Sequence, residues 1–494
     1  MKLFDTILQR IKPTVPLLDE QKEIEGIKEE NKALTQKLQR KSYEAAVASR
    51  LTNSWITSNT TADRTIRFSL AAIRARSRDL AINNDYVRKF LRLLAVNIVG
   101  ESGVMLQAKS QDPNGKSDSI ANTTIETSWK YWGKKGQCDV TESLSWVDIQ
   151  SLVIQTVARD GEIFIRMVNG YSNKSRFAVQ LIEADCININ HNANLSNGNR
   201  IKMGVELDKW EKPVAYHFRK FDDLSSDYSV NPEYERIPAQ DVIHLFVRER
   251  ITQNRGVPWL ASAMLRLKHL DEYEEAEIVA ARVAASKMGF FTTPGGDQYT
   301  GDDVDDKGNF LRDVEPGGFE ELPAGFDVKT VDWDHPNQSF GSFVKSTLRG
   351  ISVGLGVSYN SLASDLESTS YSSLRQGALE DRDAYKLLQN WFISSFITPL
   401  FEKWLVIVLV AGETKLPFSK LEKFKNVTWY PKRWQWIDPQ KDMTANVLGI
   451  KSVLKTRTDV LADQGLDFEE VCIQLKKEKE LLEEYGILNE ETTS

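Results

Sequence analysis

Four carboxylates lie together in one short stretch of the chain, where residues 301–306 have the sequence GDDVDD. Closely spaced carboxylates can hold a divalent cation, and Asp303, Asp305 and Gly308 have the spacing of a calcium-binding loop. However, Lys307 stands at a ligand position, and Val314 stands where such a loop needs a bidentate glutamate. The pattern therefore favours an acidic loop over a calcium site.

The sequence offers little else that could do chemistry. Its five histidines show no metal-ligand spacing, and none lies in a serine-hydrolase elbow: His191, His217, His244, His269 and His335. His217 and His244 fall in strand patterns, where we expect hydrogen-bonded structural roles. No glycine-rich loop ends in the Lys-Ser or Lys-Thr of a nucleotide-binding P-loop. We therefore predict no catalytic residue, no metal site and no cofactor, and a protein that is not an enzyme.

The composition is that of a folded soluble protein with about three domains. The chain has 494 residues, of which 41% are hydrophobic and 27% are charged. Its 63 basic and 70 acidic residues give a formal net charge of −7, which argues against a protein whose whole surface grips phosphates. Any contact with nucleic acid should therefore be local or weak.

Three features of the chain bear on its cellular location. Cys138, Cys186 and Cys472 are far apart, odd in number and without metal-ligand spacing, which predicts buried thiols in a reducing cytosol. The amino-terminal segment lacks the apolar core of a signal peptide. The most apolar stretch, residues 391–411, is interrupted by a proline and two charges, and its unbroken part at residues 404–411 is too short to span a membrane. We expect a buried helix or strand there, and no membrane contact.

The longest helical pattern opens at Pro258 and runs to residue 288 without a glycine or another proline. A first helical turn tolerates proline and Gly289 stops the far end, so the pattern predicts one helix about 45 Å long at about 1.5 Å per residue. Its leucines indicate a core contact, and its alanine-rich end allows another helix to approach closely. Between them lies an acidic patch of Asp271, Glu272, Glu274, Glu275 and Glu277.

The chain before this helix divides into a helical part and a strand-rich part. Residues 20–48 are charged and helix-prone, and we expect a flexible or partner-stabilised arm there. Helical patterns occupy residues 64–80, 86–99, 120–133 and 146–159. Short β-branched or aromatic segments predict strands at residues 163–168, 177–182, 201–207, 214–219 and 242–247. We predict a loop or hairpin tip at residues 188–199, with its turn at Asn197-Gly198.

The chain after Gly289 is predicted to be mostly helical. Strand-like pieces and the acidic stretch come first, followed by a helix at residues 340–354. Residues 357–370 are polar and loop-like, and another long helix runs from about residue 371 towards residue 400. A tryptophan-rich stretch and two helical segments with a charged tail complete the chain.

Several sequence strings, in their order and spacing, resemble the lambda family of tailed-phage portal proteins. In the first half they are RARSRDL at 74–80, DGE at 160–162, QLIEAD at 180–185, GVE at 204–206, PVAYH at 213–217 and RGVP at 255–258. Near the carboxyl end they are WIDP at 436–439 and QGLD at 464–467. The resemblance runs from about residue 55 to residue 487. One departure is Glu211, which stands where the family often has a turn glycine.

The resemblance implies a mixed α+β portal fold assembled as a ring of identical subunits, typically twelve, at one vertex of the capsid. Double-stranded DNA would be packaged and ejected through this head-tail connector, without sequence-specific contacts. The implied partners are the terminase large subunit, the major capsid protein and the head-tail adaptor proteins. The implied location is the portal vertex of the virion, after assembly in the host cytoplasm.

The same resemblance divides the chain into the regions of a portal subunit. These are a flexible N-terminal arm (1–62), the first part of the wing (63–145), a stem helix (146–160), a β-rich clip (161–257), a second stem helix (258–289), the second part of the wing (290–356), a tunnel loop (357–370), a long wing helix with the segment after it (371–439) and a helical crown (440–494). The β-rich stretch between two helices in the sequence fits this plan.

The physics of a DNA conduit fits two of these features. Basic walls would bind phosphates in a salt-dependent grip, whereas the acidic patch at residues 271–277 would let a polyanion slide. The tunnel loop would touch DNA without holding it, through small, polar or acidic side chains: Asn360, Ser361, Ser364, Asp365, Glu367 and Ser368. An acidic helix face that is simply exposed to solvent would have the same composition as the acidic patch, and an ordinary surface loop would have the same composition as the tunnel loop. Both assignments are therefore hypotheses.

Two other functional classes remain open on the sequence. A metal-dependent DNA-processing enzyme, such as a nuclease, would use residues 302–306 as its metal cluster. A non-catalytic scaffold or adaptor would share the oligomer but not the axial channel. Electron microscopy of the purified protein would separate these classes, because an enzyme of this kind is not expected to form a large closed ring.

Overall fold

The structure is a computed structural model of the chain. It describes residues 25–32, 50, 53–55, 59–219, 233–285, 289–292, 327–330, 339–367, 370–434, 439–464, 466 and 468–485. The chain forms two compact units, Met1–Thr61 and Ala62–Ser494. In the first unit residues 25–32 are helical, as the pattern there predicts. The acidic stretch at residues 301–306 and Ser368 lie outside the described residues.

Four helices open the second unit and match the four predicted ones to within a few residues. They are α1 (Ala62–Asn83), α2 (Asp85–Leu94), α3 (Ser119–Trp132) and α4 (Trp146–Asp160), with a π-helical turn (Ala95–Val99) after α2 and a short strand, β1 (Met105–Ala108), before α3. Polar side chains cap the first turns, where backbone N–H groups lack helical partners. Asn84 accepts from the amide of Val87, and Ser145 and Asp148 form a capping box.

A β-module follows α4 and contains two antiparallel sheets. Its strands are β2 (Glu162–Asn169), β3 (Phe177–Ile182), β4 (Ala193–Asn194), β5 (Arg200–Lys202), β6 (Val205–Leu207), β7 (Pro213–Arg219), β8 (Tyr234–Pro238) and β9 (Val242–Phe246). One sheet has the order β3-β2-β9 and the other has the order β4-β5-β6-β7-β8. The predicted strands at residues 163–168, 177–182, 214–219 and 242–247 are confirmed.

The prediction was wrong in treating residues 201–207 as one strand. The segment forms β5 and β6, because Met203 and Gly204 reverse the chain with φ angles of 48° and 81°. A Cβ at Gly204 would lie 2.3 Å from a methyl carbon of Ile187, so only glycine fits this close approach. Strands β1 and β8 were not predicted. Both are short, and β1 gains its partner from a distant part of the chain, whereas β8 pairs with the preceding strand, β7.

Two tight turns shape the second sheet. The predicted hairpin tip is confirmed, with Ala193 opposite Ile201 and Gly198 in the turn at a φ of 84°. The turn between β6 and β7 contains Glu211 at a φ of 63°, a left-handed conformation that a turn glycine adopts more easily. The backbone at Glu211 therefore has a conformation that favours glycine, the residue that the family resemblance predicts at this turn.

The long helix predicted from Pro258 begins later than expected. Helix α5 is Met264–Ala285, so its 22 residues span about 33 Å at about 1.5 Å per residue, rather than about 45 Å. The residues between Pro258 and α5 form turns instead. Tertiary packing decides this, because the amide of Trp259 donates to the carbonyl of Ala158 in α4 and holds the chain in a turn.

The remainder of the described chain is mainly helical. Its elements are β10 (Gly289–Thr292), β11 (Asp327–Thr330), α6 (Phe340–Leu355), α7 (Tyr359–Ala363), α8 (Tyr371–Phe392), α9 (Thr398–Val410), α10 (Leu421–Phe424), β12 (Val427–Tyr430), α11 (Pro439–Lys451), α12 (Arg457–Ala462) and α13 (Phe468–Glu484). A π-helical turn joins α8 to α9. Two terminal helices were predicted and three are present, because Thr456 and Asp459 form a capping box that starts a separate helix, α12.

Aromatic side chains from distant parts of the sequence form the centre of the hydrophobic core. The ring of Trp129 lies 4.8 Å from that of Trp132 and 5.0 Å from that of Trp404, between ring centroids. Strand β1 pairs with β12 and places Leu106 opposite Trp429. The amino-terminal and carboxyl-terminal halves of the second unit therefore share one core.

One described helical stretch, Ser372–Val410, is long and apolar enough to cross a membrane by length and composition alone. Its α9 part buries Leu400, Phe401, Trp404, Leu405, Val408 and Leu409. The sequence prediction of a buried helix or strand at residues 391–411 is thus confirmed as a helix.

The cysteines divide into two groups. Cys138 and Cys186 are buried free thiols, as predicted. The prediction was wrong for Cys472, which is exposed on α13, because the described side chains of that helix lie almost entirely at the surface of the chain.

Candidate functional site

The predicted tunnel loop, residues 357–370, contains the short helix α7 and is anchored to the rest of the fold. The prediction of a loop was therefore wrong for Tyr359–Ala363. Leu362 is buried, and the hydroxyls of Ser358 and Ser361 each donate to the carboxylate of Asp381 in α8 at 2.7 Å. A carboxylate that accepts several hydrogen bonds fixes the segment on α8.

The other polar residues of the segment lie at its surface. Asn360 is half-buried in α7, and Ser364 is exposed in a left-handed backbone conformation with a φ of 55°. The ammonium group of Lys89 on α2 donates to the hydroxyl of Ser364. Ser368 lies outside the described residues. The described part of the segment thus contacts both α2 and α8.

Lys345 on α6 pairs with both carboxylates of the segment. Its Nζ lies 3.2 Å from the carboxylate of Asp365 and 2.8 Å from that of Glu367. Hydrogen bonds from the Tyr359 hydroxyl, the Glu367 amide and Lys345 lower the pKa of Asp365 below its usual value. Hydrogen bonds to Glu367 and Asp365 raise the pKa of Lys345. One ammonium group therefore offsets one of the two negative charges of the segment.

The five acidic residues of α5 do not form one exposed surface, which corrects the prediction. Asp271 accepts a hydrogen bond from Asn84 Nδ2 at 2.6 Å, and Glu274 accepts one from the Tyr86 hydroxyl at 3.3 Å. Burial raises the pKa of Glu274, and it also raises the pKa of Tyr86 to about 12. These two carboxylates hold α5 against α2 rather than facing solvent.

The other three acidic residues differ among themselves. Glu277 is half-buried and accepts a hydrogen bond from the Tyr273 hydroxyl at 3.1 Å. Glu272 is exposed and lies 3.4 Å from Lys268 one turn earlier. Glu275 is exposed and has no partner among the described residues. Exposed acidic surface on α5 is therefore limited to Glu272 and Glu275.

The sequence analysis missed a cluster of buried charges where the chain enters and leaves the β-module. The carboxylate of Glu162 lies 2.6 Å from the guanidinium of Arg255 and 2.8 Å from that of Arg74. It also accepts hydrogen bonds from His244 Nε2 at 2.9 Å and from the Gly256 amide at 2.8 Å. The four side chains are at most 4% exposed, so the charged groups are stabilised by one another and not by water.

Opposing effects set the protonation of this cluster. Burial favours the neutral form of Glu162, but the charge of Arg255 and the hydrogen bond from His244 outweigh it and hold the pKa of Glu162 well below its usual range. Burial lowers the pKa of His244 more than the neighbouring carboxylate raises it. At neutral pH, a charged Glu162 therefore accepts a hydrogen bond from a neutral His244.

Two glycines let the entering and leaving segments touch at this point. A Cβ at Gly256 would lie 2.1 Å from the carbonyl oxygen of Gly161. Arg255 also donates to the carbonyls of Met203 at 2.7 Å and Ala184 at 3.1 Å, which ties it to the loops of the β-module. The sequence strings DGE (160–162) and RGVP (255–258) contain Glu162 and Arg255. Their contact could not be inferred from the sequence, because the two strings are far apart in the chain.

The histidines in strands are structural, as predicted. His244 on β9 bonds to Glu162, and His217 on β7 bonds to Glu206 at 3.2 Å through Nε2. Within the part of the chain that the structure describes, no group of three or more His, Cys, Asp or Glu side chains could hold a metal ion. The candidate metal cluster at residues 302–306 lies outside that part.

Comparison with known proteins assigns the family. A sequence model for phage portal proteins of the lambda family matches residues 48–389, which is more than half of the chain. The chain belongs to this family. The resemblance found in the sequence strings is thereby confirmed, and the family is structural rather than catalytic.

Individual members of the lambda portal family match over nearly the whole chain. The probable portal protein of Halomonas phage phiHAP-1 is 35% identical and covers 91% of this chain and 88% of its own length. Portal protein B of Escherichia phage lambda is 22% identical, with 86% of each chain covered. The portal protein of Escherichia phage N15 is also 22% identical, with 86% and 87% covered. The portal assignment thus applies to the chain as a whole.

Solved structures similar to this portal protein come from gene transfer agent particles. A chain from the neck of an empty particle has a TM-score of 0.43 and 11% identity, and the match covers 81% of this chain and 93% of that one. A chain from the neck of a native particle has a TM-score of 0.41 and 11% identity, with 82% and 99% covered. Both are components of particle necks.

Proposed function

We propose that this portal protein forms a closed ring, typically of twelve copies, at one vertex of a phage capsid. Double-stranded DNA passes through the ring during packaging and ejection, without sequence-specific contacts. The terminase large subunit docks on the ring during packaging, and head-tail adaptor proteins replace it afterwards. The major capsid protein surrounds the ring in the virion, after assembly in the host cytoplasm. The protein itself catalyses no reaction.

The charge balance of residues 358–367 supports a role as the segment that touches DNA. A wall that binds phosphates gains salt-dependent affinity with each added cation, and such a grip would resist movement of the DNA. Here Lys345 is paired with Asp365 and Glu367 within 3.2 Å, so a passing phosphate does not meet Lys345 as a free cation. This balance is the observation that carries the assignment of the tunnel segment.

Exposed apolar side chains support assembly with further copies. Phe343 and Val353 on α6 are 50% and 83% exposed, and Leu387 on α8 is 73% exposed. Single exposed apolar residues are ordinary, but helices that expose several of them favour burial in an interface. A ring in which helices stand beside neighbouring copies would bury such surfaces.

Electron microscopy of the purified protein tests the ring. Class averages viewed along the axis should show a closed ring with a central opening. A protein that remains a compact monomer at high concentration would contradict the proposal.

A charge change in the tunnel segment tests the passage of DNA. Glu367→Lys adds a cation at an exposed position beside Lys345 and should slow packaging, with the rate recovering as salt is raised, because salt weakens phosphate contacts. Glu367→Gln is the matched control, since it removes the ion pair without adding a cation and should package at nearly the normal rate. Rings should form equally well in both variants, and equal packaging rates would count against the assignment.

A further inference from the structure

One cleft of the second unit is lined by arginines that the proposed function does not use. Helices α1, α2 and α4 form it, together with Glu183 after β3, and its volume is about 500 Å³. Four of its nine lining residues are arginines and only one is a carboxylate: Arg78, Arg88, Arg92, Arg159 and Glu183. We call it the arginine cleft. Such an excess of positive charge on an acidic chain indicates an anionic partner.

Two of these arginines are already paired and two are not. Arg78 and Arg159 both contact the buried carboxylate of Asp160, at 2.9 Å and 2.8 Å. Arg88 and Arg92 lie one turn apart on α2 and are exposed, and neither pairs with a carboxylate in the described part of the chain. The free binding capacity of the arginine cleft therefore lies in Arg88 and Arg92.

The outer face of α5 has the complementary charge. Leu265, Lys268, Glu272, Glu275 and Val279 follow one another at spacings of three and four residues, which places them on one side of the helix. The two glutamates are exposed, and Leu265 and Val279 are 71% and 48% exposed. The pair between Lys268 and Glu272 is exposed and therefore contributes little. We call this surface the acidic face.

The apolar residues of the two surfaces favour a protein partner over DNA. Ile82 at the edge of the arginine cleft is 71% exposed, which matches the exposed leucine and valine of the acidic face. A phosphate backbone gains nothing from such side chains, whereas a protein interface buries apolar residues beside its charged pairs. Carboxylates carried on a partly apolar helix therefore fit the arginine cleft better than phosphates do.

Within one copy, Glu272 and Glu275 do not pair with Arg88 or Arg92. On α2, Tyr86 reaches towards Glu274 of α5. Arg88 and Arg92 lie about 160° and about 120° round the helix from Tyr86, at about 100° per residue. Both arginines therefore lie on the side of α2 that is turned away from α5. A head-to-tail ring brings two such different surfaces together at every interface.

We propose that, in the ring on which the proposed function depends, the acidic face of each copy docks into the arginine cleft of the next. Glu272 and Glu275 of one copy pair with Arg88 and Arg92 of its neighbour. Leu265 and Val279 cover the apolar edge of the cleft in the same contact. The acidic residues of the long helix thereby join subunits instead of lining the bore.

Charge reversal tests the pairing in the full-length protein. Arg88→Glu with Arg92→Glu, and separately Glu272→Arg with Glu275→Arg, should each raise the concentration needed for ring formation by about tenfold or more, because like charges would face each other. The four changes together should restore assembly to near the original concentration. Native mass spectrometry and electron microscopy measure the ring fraction, and the melting temperature of each variant checks folding.

A control pair and three outcomes make the test decisive. Lys130→Glu with Lys135→Glu reverses two exposed charges elsewhere and should leave ring formation unchanged. If the wild type forms rings and the reversals have no effect, this inference fails while the proposed function stands. If the arginine reversals leave the rings intact but weaken DNA binding, the cleft binds phosphates and the inference is overturned. If the wild type forms no ring, both proposals fail.

Disulfide trapping gives an independent measurement. In a Cys472→Ser background, Arg92→Cys combined with Glu275→Cys should give, on mild oxidation, a ladder of covalent multimers that ends at the full ring. Each single cysteine variant should remain monomeric in denaturing gels. Absence of the ladder from rings that are intact in the microscope would contradict the proposed contact.

Discussion

The guanidinium of Arg255 lies 2.6 Å from the carboxylate of Glu162, and neither side chain has any exposed surface. The two residues are 93 positions apart, one at the start of the β-module and the other just after its end. Removing two charges from water is costly unless each charge is matched by partners, and here Arg74, His244 and a backbone amide complete the match for Glu162. The pair closes the base of the β-module.

Breaking this pair should destabilise the protein strongly. Glu162→Gln should lower the free energy of unfolding by about 3–5 kcal/mol, because Arg255 is left as a buried charge without a carboxylate partner. Arg255→Met should cost less, because Arg74 and His244 still contact Glu162. Urea unfolding followed by circular dichroism measures the loss. Glu422→Gln is the control, since it breaks an exposed pair with Lys425 and should cost about 1 kcal/mol or less. If Glu162→Gln lowered the free energy of unfolding as little as Glu422→Gln does, the charge cluster around Glu162 would be accessible to water.

Stability should fall as the pH is lowered below about 6.5, the ordinary pKa of histidine. Burial lowers the pKa of His244 in the folded protein, so the unfolded chain binds the proton first, and stability therefore rises with pH in this range. One such histidine contributes a slope of at most about 1.4 kcal/mol per pH unit. Glu162, whose pKa is held low, adds a further loss at more acidic pH.

The variant His244→Gln tests the origin of this slope. Its amide can still donate to Glu162 but does not titrate, so the stability difference from the wild type should shrink as the pH falls from 7.5 to 5.5. Chemical unfolding at several pH values gives the slope, and His269→Gln at an exposed position on α5 should leave it unchanged. Parallel curves for wild type and His244→Gln would assign the pH dependence to other groups.

Adding a methyl group at Gly256 should be far more harmful than adding one at Gly377. In Gly256→Ala the new Cβ would lie 2.1 Å from the Gly161 carbonyl oxygen, so backbone must move, at a cost of at least about 2 kcal/mol. Gly377 lies inside α8 with nothing within 4 Å of such a Cβ, so Gly377→Ala should stabilise the protein by about 0.5–1 kcal/mol. Thermal unfolding measures both, and equal effects would contradict the close contact.

The turn residue Glu211 allows backbone strain to be separated from charge pairing. Its carboxylate pairs with Arg200 and with Lys202, the latter at 2.7 Å, while its backbone has a φ of 63°. Glu211→Gly and Glu211→Ala both remove the exposed pairs, but only glycine relieves the left-handed strain. The free energy of unfolding of the glycine variant should therefore be about 1 kcal/mol higher than that of the alanine variant, as measured by urea titration. Equal stability of the two variants would show that the turn is unstrained.

The elements that sequence predicted well are those whose cause is local. Helices α1 to α4 were located to within a few residues, since apolar periodicity and caps such as Ser145 lie within the segments themselves. The start of α5 was misplaced because a contact between Trp259 and Ala158, 101 residues apart, holds the preceding residues in turns. The strands β1 and β12 are four residues long and become a sheet only through each other.

The candidate sites show the same division at the level of side chains. The sequence identified the acidic residues of α5, but contacts with Asn84 and Tyr86 decide which of them face inward. It identified the polar segment at residues 357–370, but the pairing of Lys345 with Asp365 and Glu367 depends on how α6 lies beside that segment.

The sequence by itself determined the family, the order of the elements and the absence of a readable catalytic motif, because periodicity, turn residues and characteristic strings are properties of neighbouring residues. Tertiary structure alone decided the charge cluster around Glu162, the inward and outward sides of α5 and the arginine cleft. The physical reason is that the energy of a charge depends on its burial and on partners that are distant in the chain. Only the packed fold brings those partners within bonding distance.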